Sequence, residues 1–527
     1  MCSLGNRQSV HGILFNGSFA SFWCFDRGGG VFTHECNIDR DFPDLIRCLM
    51  SLCLANNTEL GLEPMFQQSG VKDVELFGSV LQRYLVVQRS LFTISKTLHI
   101  TSELDGRGTT VFKVITAPDG RTTDEVTEAG EETVIPEAAV IKFSWQSTSQ
   151  ALEIALFRRA QEFNVEGIAT LYRYSSPRKL SDGHRKQLGL KVGIDYVDRE
   201  LHVQVTGPVC IPLYRVVDED DFAAAFKSLI SAHHSLYKKA GILHRDISIN
   251  NLMVDETNPQ RGVLIDLDLA IQVRDGERVL GIRPSTVGTY PFLALDLFRD
   301  EPLTQRWYRH DLESFLYVLA WILSRFDEDG NEVHQTAAFD DWIFGEKKYI
   351  FLAKRGFLRE AERFRPVRFS RLQKSWMPEL GALFYSGYNF RAKCIAGLVP
   401  YEDETLGGFV TFETVMEQLQ KPLPEPEIDA TVQLVPEPGT IISFNVPERP
   451  PPAHPGTITA NISVTGLTPW EIYDRFDDGL KAALASKDLT DVNDALAKFS
   501  VPEAEKIVEL LQCSEILRVE DSTHDER

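Results

Sequence analysis

Two segments near the middle of the chain carry polar residues whose types and spacing suit phosphoryl transfer. His244, Arg245 and Asp246 are followed, after four intervening residues, by Asn251. Fifteen residues later an apolar run ends at Asp266. Phosphoryl transfer requires a carboxylate that orients the acceptor hydroxyl, and oxygen ligands that hold magnesium. We therefore predict Asp246 as catalytic base, Arg245 as a catalytic-loop partner, and Asn251 with Asp266 as magnesium ligands.

A lysine within an apolar strand supplies a candidate cation for the nucleotide phosphates. Lys142 lies between Ile141 and Phe143, where a side chain fixed by the strand can reach the α- and β-phosphates of ATP. Glu153, on the helix predicted to follow, is the expected partner that holds this lysine in place. Glu162 suits that role less well because it lies close to the next predicted strand.

A short glycine-containing segment upstream predicts the loop that approaches the phosphates. Gly106 and Gly108 are separated by one residue, and Val111 follows in the next apolar run. Glycines allow a backbone to come close to phosphate, although two glycines alone are a weak pattern. We predict that Gly106, Gly108, Val111 and Lys142 bind ATP, with Mg²⁺ as the second cofactor.

The elements expected to hold these residues form two lobes, the first largely antiparallel sheet. Its predicted strands and single helix are, in chain order, strand Leu98–Val114, strand Ala138–Phe143, helix Leu152–Phe163, strand Ile168–Tyr172 and strand Lys191–Val205. The lobe should therefore present the glycine segment and Lys142 on one sheet.

The second predicted lobe is helical. A helix with one apolar face begins near Asp221 and is ended by Gly241. The segment Asp311–Phe326 is apolar almost all round, which predicts a helix buried on every side. Asp311 would open that helix as a buried acid, and the backbone of the catalytic loop is its expected source of hydrogen-bond donors.

The two ends of the chain carry no recognisable chemistry. Asn16 and Gly17 predict a hairpin turn between extended segments of residues 9–36, and Asp39–Leu54 predicts a helix, all expected to serve packing. Ten prolines between Lys421 and Gly456 predict a linker, after which helical periodicity returns. The predicted domains are an N-terminal α/β appendage (1–95), a β-rich lobe (96–205), a helical lobe (206–420), a proline-rich linker (421–467) and an acidic helical module (468–522).

Composition limits the classes of protein to which the chain can belong. Its 527 residues contain 43% hydrophobic and 25% charged side chains, the balance of a globular protein with more than one domain. The net charge of −21 disfavours non-specific nucleic-acid binding. Eight scattered cysteines without CxxC pairs make zinc an unexpected ligand, and with no secretory or membrane segment they favour the cytoplasm or nucleus.

Several longer segments resemble the fungus-specific protein kinase family over residues from about 8 to 420. These segments are HRDISINN, LIDLDLA, GTYPFLA and HDLESFLYVLAWI. The resemblance implies an α+β fold of the eukaryotic protein-kinase type, with a β-rich N-lobe and a helical C-lobe. It also implies an enzyme that uses ATP with magnesium, and Asp246 as its base.

The chain departs from the usual kinase pattern at four places. The third glycine of the phosphate loop is missing, and Ser248 stands where Ser/Thr kinases have a lysine that touches the γ-phosphate. Loss of that cation would raise the barrier by a few kcal/mol unless another group substitutes for it. Asp268 replaces the glycine that usually ends the metal-binding triplet, and Asp296 replaces a glutamate after the activation segment.

The tail has a second resemblance. Residues 431–447 and 480–517 are similar to the C-terminal portion of the kinase-targeting co-chaperone of the heat-shock-90 system. The similar part excludes the client-binding portion of that co-chaperone. The resemblance implies the heat-shock-90 machinery as a partner of the tail, and an acidic solubilising appendage is the alternative.

Three functions compete for the same residues. The favoured one is a protein kinase acting on Ser/Thr hydroxyls of an unknown protein, because Lys142, Asp246, Asn251 and Asp266 are all present. A catalytically weak scaffold and a small-molecule phosphotransferase on the same fold are the alternatives, the first supported by Ser248 and by the acidic tail with its co-chaperone resemblance. Candidate phosphorylation sites in the activation segment are Ser285, Thr286 and Thr289.

Overall fold

The computed structural model divides the chain into two compact units, Met1–Pro422 and Leu423–Arg527. It describes residues 7–68, 83–87, 90–101, 105–116, 134–148, 153–273, 287–299, 305–333, 339–400, 402–424, 434–436, 440–447, 468–499 and 501–521. Within these residues, no helix combines the length and the apolar character needed to cross a bilayer.

The first unit contains sixteen strands and eight α-helices among the described residues. The strands are β1 (Ser9–Asn16), β2 (Phe19–Asp26), β3 (Gly29–Phe32), β4 (Cys36–Asn37), β5 (Phe66–Gln68), β6 (Arg83–Val87), β7 (Ser90–Ile100), β8 (Thr110–Thr116), β9 (Ala138–Ser147), β10 (Thr170–Lys179), β11 (Arg199–Gly207), β12 (Cys210–Pro212), β13 (Ile242–Leu243), β14 (Leu252–Asp255), β15 (Asn258–Leu264) and β16 (Ile271–Gln272). The helices are α1 (Phe42–Leu54), α2 (Glu153–Glu162), α3 (His184–Gln187), α4 (Glu219–Ala240), α5 (Tyr308–Arg325), α6 (Lys347–Arg359), α7 (Ser370–Ile395) and α8 (Phe412–Gln420).

The N-terminal strands form a small antiparallel sheet in the order β1-β2-β3, with β4 also paired to β2. The predicted hairpin is present, but Asn16 pairs with Phe19, so the turn residues are Gly17 and Ser18. Gly17 has a φ of +57°, which glycine adopts without the steric cost that a side chain adds. Helix α1 begins at Phe42, three residues later than predicted, with Pro43 in its first turn.

A seven-stranded sheet in the order β10-β11-β9-β8-β7-β6-β5 dominates the first lobe. Every adjacent pair of its strands is antiparallel. In β9, Ile141 and Phe143 are buried in the core while Lys142 between them is only half-buried. Because successive side chains of a strand point to opposite faces, this alternation directs Lys142 away from the core.

Two predicted strands in this lobe differ clearly from the structure, and the sheet extends beyond the predicted lobe. The single strand predicted for Leu98–Val114 is wrong: the chain reverses through Gly106 and Gly108, and the segment divides between β7 and β8. The strand predicted from Lys191 begins only at Arg199. The sheet also includes β5, β6 and the start of β7, which precede the predicted lobe boundary at residue 96. Pairing to strands distant in sequence decides these limits.

The second lobe is built around helices α4 and α5. The Asp218 side chain caps α4 by accepting a hydrogen bond from the Asp221 backbone, and Gly241 ends the helix at a φ of +64°. Helix α5 begins at Tyr308, three residues before the predicted start, and every residue from Arg309 to Ser324 is buried. It is therefore the all-round buried helix that its composition predicts.

The second unit is a small α/β fold. It contains helices α9 (Pro469–Asp474), α10 (Asp478–Ser486), α11 (Leu489–Leu496) and α12 (Val501–Cys513), and strands β17 (Thr440–Phe444) and β18 (Leu517–Asp521). Strands β17 and β18 pair antiparallel, and Phe444 is buried in the same core as Leu484 and Leu496. A strand inside the predicted linker thus belongs to the module, because it completes the module's sheet and core.

Candidate functional site

The loop between β7 and β8 has a backbone held from two sides. Gly106 and Gly108 have φ values of +83° and +52°, a region that favours glycine. The Gly106 N–H donates to the Arg27 carbonyl at 3.2 Å, and the Trp145 N–H donates to the Arg107 carbonyl at 2.7 Å. A Cβ on Gly108 would lie 2.2 Å from the guanidinium carbon of Arg27. The N-terminal region, which the sequence predicts to serve packing, therefore packs through Arg27 against the predicted nucleotide loop.

Lys142 lies among three carboxylates contributed by two segments. Its Nζ atom is 3.3 Å from Glu153 Oε1, 3.1 Å from Asp266 Oδ1 and 3.7 Å from Asp268 Oδ2. Val111 lies directly opposite Lys142 in the pairing of β8 with β9. Burial acts to lower the pKa of Lys142, but the three carboxylates outweigh it and hold the pKa above its usual value. The lysine is therefore a fixed cation.

Glu153 is held in position by several donors as well as by Lys142. It is buried at the start of α2 and accepts hydrogen bonds from Gln204 Nε2 at 2.6 Å and from the Leu267 N–H at 3.1 Å. Burial raises its pKa, and Lys142 opposes that rise. Glu162, the alternative partner, is the exposed last residue of α2. Sequence position thus predicted the contact of Lys142 with Glu153.

Asp246 is oriented by hydrogen bonds on both carboxylate oxygens. Its Oδ1 accepts from the N–H and the hydroxyl of Thr289, both at 2.8 Å. Its Oδ2 accepts from Asn251 Nδ2 at 3.0 Å, and the same amide donates to the Asp246 carbonyl at 2.9 Å. The Ile265 N–H donates to the Asn251 carbonyl at 3.2 Å, which ties the loop to the residue before Asp266. The predicted base and the two predicted metal ligands therefore occupy neighbouring segments.

Three carboxylates at this site could share a cation. Oxygen atoms of Glu153, Asp266 and Asp268 lie within 4.8 Å of one another. Burial acts to raise the pKa of Asp266, but Lys142 outweighs it and lowers that pKa to about 2, so this carboxylate is ionised. Ionised carboxylates and amide oxygens are the ligands that magnesium prefers, and Asp266 with Asn251 provides both. The donor set therefore fits magnesium. Asp268, which was not predicted as a ligand, lies in the same group of carboxylates as Asp266.

Comparison with known proteins agrees with this geometry. Residues 1–182 and 173–323 match the family described as fungal protein kinase. The chain belongs to the fungal protein kinase family. Residues 464–527 match the Cdc37 C terminal domain. No curated protein matches the chain, and a solved structure titled "Structure of vaccinia related kinase 3" is similar at 12% identity and a TM-score of 0.38, covering 66% of this chain and 91% of its own.

The catalytic loop of this fungal protein kinase family member is anchored on Asp311. The Arg245 N–H donates to Asp311 Oδ2 at 2.8 Å, which confirms the expected backbone donor. His233 Nε2 lies 3.0 Å from the same oxygen, and Arg306 donates to Asp311 Oδ1 at 3.2 Å. Arg245 is buried with a φ of +69°, an unfavourable conformation for an arginine. Such strain persists only where surrounding contacts impose it, as Asp311 does here.

The segment after the catalytic loop is only partly described. Ser285 and Thr286, two of the candidate phosphorylation sites, lie outside the described residues. The third, Thr289, bonds to Asp246. Asp296 is fully buried between Arg309 at 2.7 Å and Arg391 at 2.6 Å. The aspartate at this position thus anchors the segment to helices α5 and α7.

Two site residues were missed by reasoning from the sequence. Arg107 Nη1 lies 2.7 Å from Asp268 Oδ2, which places a cation of the glycine loop beside the candidate metal-binding segment. Gln146 Nε2 donates to Asp268 as well. The position of Arg107 between two glycines was the available signal, but the spacing gave no direction to its side chain.

Proposed function

We propose that this chain is a protein kinase that transfers the γ-phosphate of ATP, with magnesium, to hydroxyl groups of a protein. One observation carries the proposal. A carboxylate, Asp246, is held by Thr289 and Asn251 on a loop that hydrogen-bonds to the strand end carrying Asp266. Lys142, in turn, contacts both Asp266 and Glu153. Base, cation and candidate metal ligand therefore belong to one connected cluster.

Each residue has a distinct role in this proposal. Lys142 binds the α- and β-phosphates while Glu153 keeps its side chain in place. Asp246 accepts the hydrogen bond of the acceptor hydroxyl and orients that hydroxyl for attack. Asp266 and Asn251 would hold magnesium, which supplies positive charge to the phosphate oxygens when bound.

The proposed acceptors are Ser and Thr hydroxyls. The hydroxyl of Thr289 lies 2.8 Å from Asp246 Oδ1, so a hydroxyl on a short side chain can reach this carboxylate. This approach supports a substrate Ser or Thr reaching the same carboxylate. A tyrosine hydroxyl lies several ångströms further from its backbone and would need a more distant peptide-binding surface.

The test is transfer from radiolabelled ATP to generic basic and acidic peptides containing Ser, Thr or Tyr. We expect Asp246→Asn to lower the rate by about 10²-fold or more while MgATP affinity stays within about twofold. Asp220→Asn, which changes an exposed carboxylate at the start of α4, is the matched control and should leave the rate unchanged. An Asp246→Asn variant that keeps more than about a tenth of the wild-type rate would contradict the role of the base.

The same assay separates the two alternative functions. A wild-type chain that binds MgATP but labels no peptide would favour the scaffold, whose supporting observation is the uncharged Ser248. Labelling of small amino or hydroxy compounds in place of peptides would favour a small-molecule phosphotransferase.

For the tail we propose binding to the heat-shock-90 machinery. The match of residues 464–527 to the Cdc37 C terminal domain supports this proposal, as does the resemblance to a co-chaperone of that system. Calorimetry with purified heat-shock-90 protein should detect binding by the full chain and none by a chain ending at Pro422, the end of the first compact unit. Equal binding by both chains would exclude the tail as the binding site.

A further inference from the structure

The described catalytic loop provides no cation for the terminal phosphate of a bound nucleotide. Ser248 is uncharged and only 2% exposed, and its carbonyl accepts the N–H groups of Asn251 and Leu252 at 3.0 and 3.2 Å. Arg245 is buried, and burial lowers the pKa of the neighbouring His244, so that this imidazole is neutral. Any side chain that adds to the positive charge of magnesium at the transferred phosphoryl group must therefore come from another segment.

Arg107 is the cation of the described glycine loop that lies nearest to this position. Its guanidinium contacts Asp268 at 2.7 Å, and its side chain is 52% exposed. Burial acts to lower the pKa of Arg107, but Asp268, Asp266 and Asp246 together hold it above its usual value. Lys142 contacts both Asp266 and Asp268, at 3.1 and 3.7 Å, so the carboxylate that pairs with Arg107 belongs to the same cluster as the candidate metal ligand.

The backbone on either side of Arg107 is fixed while its side chain is free to exchange partners. Trp145 holds the Arg107 carbonyl at 2.7 Å, and Arg27 holds the N–H of Gly106. Water screens this pair only on the side of Arg107, because the Asp268 side chain is 9% exposed. A guanidinium binds phosphate oxygens in a forked, charge-assisted geometry, so a phosphate can compete with this single carboxylate. If Arg107 moved to a phosphate, Asp268 would keep its contacts with Gln146 and Lys142.

We propose that Arg107 binds the γ-phosphate of ATP and supplies the positive charge that the catalytic loop lacks at Ser248. The inference rests on the proposed function, because it assigns a further residue to the same site. Because a nucleoside diphosphate has no γ-phosphate, Arg107 should contribute to the affinity for a triphosphate and not to the affinity for a diphosphate.

The experiment compares MgATP with MgADP as ligands of the Arg107→Met variant, by calorimetry on the full chain. We expect MgATP affinity to fall by about tenfold or more, MgADP affinity to stay within about twofold, and the phosphoryl-transfer rate to fall by about 10²-fold. Introducing Ser248→Lys into the Arg107→Met chain should restore part of the transfer rate, because it returns a cation to the catalytic loop.

Arg261→Met is the matched control. Arg261 is 55% exposed and pairs with Asp255, which is 7% exposed, at 3.3 Å, so it loses a similar ion pair on a different hairpin. It should change neither affinity. Equal loss of MgATP and MgADP affinity in Arg107→Met, or no loss at all, would overturn the assignment of Arg107 but not the proposed function. A wild-type chain that binds no MgATP would overturn the proposed function together with it.

Discussion

The candidate active site and the helical lobe each contain a cluster of buried or half-buried ion pairs, and the two clusters differ in exposure and charge balance. The helical-lobe cluster consists of Asp296, Arg309, Arg391 and Asp403, all nearly inaccessible to solvent. Its four buried members balance two carboxylates against two guanidinium groups, and the partly exposed Arg299 joins them at 2.9 Å from Asp296. This balance is what a buried ion pair requires if it is to persist without a ligand.

The candidate-site cluster consists of Lys142, Glu153, Asp266, Asp268 and Arg107, and it has more carboxylates than cations. Asp266 is 32% exposed and Arg107 is 52% exposed, so both can exchange partners. An open cluster with excess negative charge suits a site that gains a divalent cation and phosphate during its work. A closed, neutral cluster suits a site that stabilises the fold. Residue type alone does not distinguish the two; exposure and charge balance do.

The largest expected effect breaks the closed cluster. Asp296→Asn removes the carboxylate that faces Arg309 and Arg391, and should lower the free energy of unfolding by about 3–5 kcal/mol because buried cations lose their partner. Urea unfolding followed by circular dichroism measures the change. Asp268→Asn in the candidate-site cluster is the comparison, and we expect about 1 kcal/mol or less because the change also relieves repulsion between Asp268 and the neighbouring carboxylates. Equal losses would mean that both clusters serve the fold.

The next effect is on activity in the open cluster. Lys142→Met should lower the transfer rate by about 10²-fold with a small change in stability, because Glu153 can take up a proton when its cation is lost. Glu153→Gln should lower the rate in the same direction. Peptide labelling and thermal unfolding of the same preparations provide the two readouts. If the Lys142→Met variant is less stable but its folded fraction labels peptide at the wild-type rate, Lys142 has a structural role only.

A smaller effect separates the two aspartates of the metal-binding segment. Asp266→Ala should weaken magnesium-dependent MgATP binding by about tenfold or more, the loss typical of groups that support a metal site. Asp268→Ala should weaken it less, since Asp268 is engaged by Arg107 and Gln146. Calorimetry with and without magnesium compares them. If the losses are equal, Asp268 is a ligand too, as its place in the carboxylate group allows.

The smallest effect is a difference in acid sensitivity. Burial acts to raise the pKa of Asp296, but His310, Arg309 and Arg391 outweigh it and hold the pKa well below its usual value. Because the pKa of Asp296 is lower in the folded state, its ionised carboxylate stabilises the fold at pH values above the unfolded pKa of about 4. That contribution is lost as the pH falls below this value. Between pH 5 and 3 the wild type should therefore lose about 1 kcal/mol more than Asp296→Asn. Parallel losses in urea unfolding would assign the acid sensitivity to other groups.

The sequence by itself determined the parts of this protein that depend on local spacing. The catalytic loop, the pairing of Lys142 with Glu153, helix α4 with its end at Gly241 and the all-round buried α5 follow from residue order and helical period. Family membership, which the comparison with known families shows, was likewise visible in short segments of the chain. In each case the deciding residues are close in sequence or lie in one recurring pattern.

Only the tertiary structure decided the contacts made across long stretches of chain. Arg107 meets Asp268 across 161 residues, Thr289 meets Asp246 across 43, and Arg27 supports the glycine loop from a separate sheet. Strand β17 joins the tail because β18 pairs with it. Periodicity states which face of an element is apolar, but it does not state which distant element covers that face or where a loop arginine points. Those outcomes depend on closing long loops around a packed core, and this information is distributed over the whole chain.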